Sequence, residues 1–328
     1  MASVKATIYS IAERCGVSAS TVSRALSRPE LVSAELRTKI LSIAGELAYH
    51  PNGHARGLAG GTTGMLGVTV PDIANPFFPP VVRALERLAW QDGRSLLLVD
   101  TAESVDREQA AIERLRGQVD GLVMLSPRAE SPRLKSALGG LPAVMINRAS
   151  RLLPYITGDD AAALQHVCST LVGLGHTTIA YVSGPVDSWM NSRRFTQLRA
   201  AAKQTELTLV SLGPFAASYD GGRAAARALL ETDATAVVAF DDVMASGVLA
   251  QLGEQHVQVP GDLSVIGCDD VAFSRMLRPS LSSIASAPDE LVGIALELLH
   301  HPTAGRRHAQ VPTHFVPRES SGPAPKRH

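Results

Sequence analysis

Cysteine is scarce in this chain. The three present, Cys15, Cys168 and Cys268, stand far apart, which excludes a disulfide framework or a paired-thiolate metal motif and leaves them as small buried apolar side chains in a reducing compartment. Long apolar runs are missing too. No stretch approaches the ~20 residues that a membrane span needs. Lys5, Ser10, Glu13 and Arg14 interrupt the N-terminal segment where an export signal would carry its apolar stretch. The expectation is a cytoplasmic protein with no membrane partner. No glycine-rich GxGxxG, or GxxxxGK followed by Ser or Thr, comes after any apolar run, so no nucleotide cofactor is expected. Nor is a metal, since no cluster of ligands at metal-binding spacing is present.

Net charge is also absent, the formal value over the 328 residues being zero, but 45% of the residues are hydrophobic and can build an ample core. That length suits two or three domains. The charge is unevenly placed: residues 1 to 60 hold seven bases against four acids, a net +3 that leaves −3 for the remainder. A basic head on an acidic body points to a polyanionic partner.

The head's pattern narrows that partner. Ile8, Ile11 and Ala12 recur at helical spacing and stop at Gly16, a residue suited to closing a helix. Ser18 then caps a second helix whose inner face is Val22, Ala25 and Leu26. A third helix starts at Ser33, carries an apolar stripe of Leu36, Ile40, Leu41, Ile43, Ala44 and Leu47, and ends before Pro51. Three short helices with a tight Gly-containing turn are the geometry of a helix-turn-helix, whose second helix lies in the major groove of DNA. Ala19, Ser20, Thr21, Ser23 and Arg24 would then face outward, hydroxyls and a guanidinium toward phosphates and base edges. A plain helical bundle is the alternative that the pattern leaves open.

In "HPNGHARGLAGG", Asn52 is a competent N-cap after Pro51, and Ala55, Arg56, Leu58 and Ala59 are spaced for about two helical turns. Gly53 and Gly57 each cost such a helix ~1 kcal/mol. A segment this short is expected to order only when something packs against it.

From Met65 onward, short apolar runs alternate with amphipathic segments. The runs are "MLGVTV", "SLLLV", "GLVML", "AVMI", "TIAYV", "AVVAF" and "LSVIG". This is the signature of parallel sheets covered by helices. Side chains with binding chemistry follow the strand ends, where open α/β sheets hold ligands: Asn75, Phe77 and Phe78, then Asn147 and Arg148, Asp241 and Asp242, and Asp269, with Arg194 a further candidate. Carboxylates, amides and guanidiniums can pair with sugar hydroxyls, and aromatic faces stack on a ring.

"TIYSIAERCGVSASTVSRALS" followed by "VSAELRTKILSIAGELAYHPNGHARGLAGG" closely resembles the N-terminal module of the LacI/GalR (lactose-repressor and galactose-repressor) family of bacterial transcription regulators, and the likeness continues along almost the whole chain. It implies an all-α helix-turn-helix DNA-binding head and an α/β, periplasmic-binding-protein-like sensor of two lobes with parallel sheets. It places specificity positions at Ala19 and Ser20. It makes residues 51–62 a hinge that touches DNA through Asn52, His54, Ala55 and Leu58, with Leu58 as a minor-groove wedge. It implies lobes of 63–160 with 287–309 and of 161–286 with 310–322, the last crossover near Gln310, and a disordered tail at 323–328. Residues 1–50 are the head.

The implied partners are double-stranded operator DNA, a sugar-like small-molecule effector between the lobes, and a second copy of the chain. The short tail "PAPKRH" argues for a dimer rather than a tetramer. Ser10 stands where the family often has aspartate, Asp241 and Asp242 where an Asn-Asp pair is usual, and Phe215 near an aromatic lid. A sugar-binding receptor would need an export signal, which the N-terminal segment does not show, and would have no use for the head. A hydrolase would need a carboxylate dyad, which the adjacent pairs Asp241/Asp242 and Asp269/Asp270 make poorly.

Replacing Leu58 by Ser should lower affinity for operator DNA far more than for random DNA, since non-specific binding rests on phosphate contacts that remain. Equal losses in a binding titration on both DNAs would mark the segment as a plain linker.

Overall fold

A computed structural model describes residues 7–27, 29–49, 62–300 and 307–326, which divide into a head, residues 1–63, and a body, residues 64–328.

In the head, α1 (Ile8–Cys15) opens with a reciprocal cap. The Thr7 N–H donates to Ser10 Oγ at 2.9 Å and the Ser10 N–H to Thr7 Oγ1 at 3.3 Å, so two otherwise orphaned donors are satisfied. Gly16 ends the helix with φ 71°, a left-handed conformation that glycine adopts without a Cβ penalty. Helix α2 (Ala19–Ser27) and α3 (Ala34–Glu46) follow. Their buried faces, with α1, close a core of Ile11, Ala12, Cys15, Val22, Ala25, Ile40 and Ala44. Leu41 falls outside the expected stripe and is 46% exposed, because the 3.6-residue period carries the inner face through Leu36, Ile40, Ile43, Ala44 and Leu47 instead.

The body holds two six-stranded sheets. The first has the order β11 (His308–Pro312), β5 (Tyr155–Asp159), β4 (Ala143–Ile146), β3 (Gly121–Leu125), β1 (Met65–Val70), β2 (Ser95–Asp100), all parallel. The second runs β12 (His314–Val316), β10 (Ser282–Ala285), β9 (Ser264–Asp269), β8 (Ala236–Ala239), β6 (Thr178–Val182), β7 (Thr208–Leu212), with only β12 antiparallel. Central strands buried on both faces explain the continuous apolar runs. Helices α4 (Phe78–Gln91), α5 (Val105–Leu115), α6 (Ser131–Leu138) and α11 (Pro288–His300) cover the first sheet. The second is covered by α7 (Ala161–Gly173), α8 (Trp189–Gln204), α9 (Tyr219–Leu230) and α10 (Asp242–Glu254).

The chain passes from one lobe to the other after β5, between β10 and α11, and between β11 and β12. The last passage falls at Thr313 rather than near Gln310, because β11 pairs with β5 through Pro312↔Asp159 before the chain turns away. The expected disordered tail is also corrected for residues 323–326: Ala324 N–H donates to the Leu174 carbonyl at 2.8 Å, one residue pair beyond the His176 Nε2 contact with the Gly322 carbonyl at 3.0 Å.

Helices α9 and α10 pack backbone to backbone. A Cβ on Gly222 would stand 2.0 Å from the Met244 carbonyl oxygen, and one on Gly247 would stand 2.0 Å from that of Tyr219. Gly222→Ala or Gly247→Ala should therefore cost ~1–3 kcal/mol by overpacking. Gly293→Ala, in α11 with open space where its Cβ would go, should instead gain ~0.5–1 kcal/mol. Thermal unfolding of the three variants checks this; equal melting temperatures would contradict the close approach.

Candidate functional site

On the head, Ser18 Oγ accepts the Thr21 N–H at 3.2 Å and lies 2.8 Å from Ser20 Oγ and 2.9 Å from Thr21 Oγ1. Hydroxyls thus hold the start of α2 together. Ser20 and Arg24 are exposed on this helix, with Arg24 Nε donating to the Ser20 carbonyl at 3.3 Å. Ala19, Thr21 and Ser23 are only half-exposed, because they flank the buried Val22 and Ala25 rather than oppose them. Arg14 pairs with Glu46 at 3.5 Å in a solvent-exposed contact, one of little energetic weight. Asn52, His54, Ala55 and Leu58 lie outside the described residues.

In the body, the strand ends of both sheets meet in a cleft of about 430 Å³ including its mouth. From the first lobe, Asn75 follows β1. Its Oδ1 accepts the Phe77 N–H at 3.0 Å, which fixes the side chain so that Nδ2 donates across the cleft to Asp241 Oδ2 at 3.1 Å. Phe77 and Phe78 meet edge to face, with centroids 5.2 Å apart, and are both cleft wall and core. Asn147 sits just past β4 at φ 60°. Its Oδ1 accepts the Gly158 N–H at 3.2 Å, and its Nδ2 has no protein partner among the described residues.

From the second lobe, Arg194 of α8 is buried and fully engaged. Nε donates to Asp160 Oδ2 at 2.8 Å, Nη2 to Asp269 Oδ1 at 3.2 Å and Nη1 to the Phe240 carbonyl, and the guanidinium stacks on the Phe240 ring at 5.5 Å. Asp241 caps α10, its Oδ1 accepting the Met244 N–H at 2.8 Å. Asp269 ends β9 at φ 99°, held there by Arg194.

Three sequence candidates stand elsewhere. Asp242 turns its carboxylate away from the cleft, into the second lobe, where it accepts from Ser274 Oγ and Ser283 Oγ at 2.6 Å each and from the Val271 N–H at 2.9 Å. Neighbouring side chains at a helix start diverge, so Asp241 and Asp242 cannot share a ligand. Arg148 donates to the Pro127 carbonyl at 3.1 Å and does not line the cleft. Phe215 packs into the second lobe's core, and Ala217 lines the cleft in its place.

Glu103, Ser126 and Arg128 line the cleft without having been singled out in the sequence. Arg128 engages both Glu103 oxygens, its Nη2 donating to Oε1 at 2.8 Å. Both Ser126 and Arg128 follow β3, so the strand-end rule that found Asn75 and Asn147 would have found them.

Burial raises three carboxyls in or beside this space. Asp269 is pushed up to about 7 by desolvation, which Arg194 opposes and Asp241 and Asp160 reinforce. Desolvation likewise raises Asp241, against its bonds to Met244 and Asn75. Asp242 rises to about 8 by burial, opposed by its two serine partners. Among the described residues, no group of three His, Cys, Asp or Glu side chains could hold a metal ion. Asp270 is drawn off to Arg318 at 2.6 Å, so neither adjacent acidic pair forms a dyad.

Comparison with known proteins follows the same division. Residues 7–52 match the family described as bacterial regulatory proteins, lacI family, and residues 168–321 match a periplasmic binding protein-like domain. The HTH-type transcriptional regulator DegA of Bacillus subtilis (strain 168) is 30% identical over 337 residues, spanning 98% of this chain and 99% of its own. The ribose operon repressor of Escherichia coli (strain K12) is 32% identical over 312 residues, 90% of this chain and 92% of its own. Among solved structures, a lac repressor dimer bound to operator and the anti-inducer ONPF superposes with a TM-score of 0.84 at 25% identity, covering 97% of this chain and 99% of that one.

Folded carboxyls raised above their unfolded value near 4 bind protons that the unfolded chain has released, so stability is greatest at low pH and falls as pH rises through 7 and 8. Asp242→Asn removes one such group and leaves an oxygen for the Val271 N–H. Its melting temperature should decline less than that of the parent between pH 5 and 8; a parallel decline would show that Asp242 carries no linked proton.

Proposed function

Because the chain belongs to the lacI family of bacterial regulatory proteins, we propose that it is a cytoplasmic, homodimeric transcriptional repressor whose affinity for operator DNA is switched by a small sugar-like effector bound between the two lobes of its body. One observation carries this reading: the same chain bears a helix-turn-helix with an exposed Ser20 and Arg24, and a cleft in which Asn75 of one lobe bonds directly to Asp241 of the other. Anything that enters the cleft must alter that contact. A ligand shifts an equilibrium only by its differential affinity for the two states.

On the DNA side, Ser20 and Arg24 reach bases or phosphates, Ser18, Ala19, Thr21 and Ser23 shape the start of the recognition helix, and Asn52, His54, Ala55 and Leu58 belong to the hinge. On the effector side, Asn75, Asn147, Arg194, Asp241 and Asp269 supply the polar contacts, with Phe77 and Phe78 as the apolar wall and Glu103, Ser126 and Arg128 completing it. The ribose operon repressor and the operator-bound lac repressor dimer support the pairing of sugar-like effector with operator. Effector-driven movement of the first lobes across the dimer would separate the two hinges, which could then no longer wedge the DNA together.

Two other readings are weaker. For a carbohydrate-processing enzyme, the adjacent carboxyls diverge and Asp242 is tied up by serines. For a free sugar receptor, the head has no role. No helix among the described residues is long and apolar enough to cross a membrane.

Binding of the full chain to DNA from its own promoter region, followed by fluorescence anisotropy, should weaken steeply with salt as phosphate contacts release counterions. Arg24→Ala should weaken it further, and by roughly 1 in the log–log salt slope if the contact is to phosphate. Binding that is absent at every salt concentration, with and without candidate effectors, would refute the repressor reading.

A further inference from the structure

The cleft is one cation short. Its two guanidiniums are already engaged: Arg128 grips Glu103, at 2.8 Å from Nη2, and Arg194 is divided between Asp160 at 2.8 Å and Asp269 at 3.2 Å. The carboxylate of Asp241 remains. It is 1% exposed and lines the cleft, yet its partners are neutral, namely backbone N–H groups at the start of α10 and the Asn75 amide at 3.1 Å. The nearest unused basic group, Arg148, points to backbone carbonyls outside the cleft lining. A buried carboxylate with no cation bonded to it is costly, and the field of Arg194 together with the helix N-terminus compensates for only part of that cost.

A second observation at the same place is independent of the charge. Asn147 is 8% exposed and lines the cleft, and with its Oδ1 taken by Gly158 its Nδ2 is a donor with no protein acceptor among the described residues. A donor placed at the wall of a cleft is available to a ligand's acceptor. The ligand must therefore bring an acceptor to Asn147 and a positive donor to Asp241, on a skeleton whose C–H face suits Phe77 and Phe78. An acidic ligand would add a like charge beside Asp241 and Asp269. A neutral one would leave the excess charge in place.

On the reading that this cleft is the effector site, we propose that the effector is a polyhydroxylated primary amine, whose ammonium group replaces the Asn75 amide on Asp241 and lies between Asp241 and Asp269 while a ring hydroxyl accepts from Asn147. The ammonium then supplies both the missing charge and up to three donors. It also breaks the direct bond between the lobes and substitutes itself as the bridge. The chemistry of recognition and the means of switching are thereby the same contact.

The test uses the full chain at pH 7 with matched probes: D-glucosamine, D-galactosamine and D-mannosamine, their neutral parent hexoses, their N-acetyl derivatives, and D-glucose 6-phosphate as an acidic control. Thermal shift and calorimetry should show at least one amine binding tenfold or more tighter than its neutral parent and its N-acetyl form, with no binding of the phosphate. Asp241→Asn, which keeps an oxygen to cap α10, should bring that preference below twofold. Asp269→Asn provides the same readout should the first variant fold poorly. The proposal is overturned if no amine binds, if a neutral or acidic probe binds tighter than the amines, or if both variants keep the preference. A neutral probe that binds and releases operator would sink the amine assignment alone. A probe whose binding and operator release are unaffected by Asn147→Ala would instead sink the cleft as the effector site.

Discussion

The guanidinium of Arg194 is the contact on which the body's geometry depends. From α8 it reaches Asp160 where the chain first leaves one lobe for the other, Asp269 at the end of β9, and the Phe240 carbonyl just beyond β8. One side chain therefore joins a crossover to two strand ends. Asp160 also accepts from Thr313 Oγ1 at 2.9 Å, so a second crossover is tied to the same group. An apolar replacement for the whole cluster could match its stability, but removing Arg194 alone would leave Asp160 and Asp269 buried and unpaired at a cost of about 3–5 kcal/mol. What the cluster contributes is position: it holds Asp269 at a positive φ and brings Asp241 to the edge of the cleft.

Binding chemistry and stability pull against each other at that edge. The carboxyls of Asp241, Asp242 and Asp269 are all raised by burial, so each is costly to keep charged. Asp242 has an evident structural role, since it joins the start of α10 to β10 and to the short helix Ala272–Arg275 through serine and backbone donors. Asp241 has no such role beyond a cap that an asparagine would make as well. Its negative charge is therefore to be understood through what enters the cleft, and the Asn75 amide is the contact that fills in for it when the lobes meet directly.

Much of this was readable from residue order alone. The head follows from Gly16, Ser18 and Ser33 at helix ends and from apolar spacing between them, all local signals. The continuous apolar strands were equally plain. Five strands were not: Tyr155–Asp159 contains glycine and aspartate, Ser282–Ala285 is half serine, Thr208–Leu212 mixes polar and apolar residues at an edge, and the short edge strands His308–Pro312 and His314–Val316 alternate polar and apolar residues, so each owes its strand conformation to its neighbours in the sheet. Strand ends correctly marked Asn75, Asn147, Asp241 and Asp269. The direction of a side chain could not be read the same way. Asp241 and Asp242 are adjacent and chemically identical, and only the fold shows that one faces the cleft and the other sits against Gly267, where any Cβ would collide with its carboxylate at 2.1 Å. Phe215 misled for a related reason, as its ring packs against the second lobe's core and Ala217 takes the place on the cleft wall. Ser126 and Arg128 were within reach of the same strand-end rule, since they follow Gly121–Leu125, whereas the pairing of Arg128 with Glu103 is visible only in the fold.

The central claim is that one chain couples the cleft to the head, and thermodynamic linkage makes that claim measurable without knowledge of the path between them. A small molecule that stabilises the full chain in thermal shift would be titrated by calorimetry into the free protein and into the protein saturated with operator. The two affinities should differ about tenfold or more, and their ratio should equal the ratio of operator affinities measured with and without the same molecule. Identical affinities in the two titrations would show that the cleft and the head do not communicate, and would contradict the account.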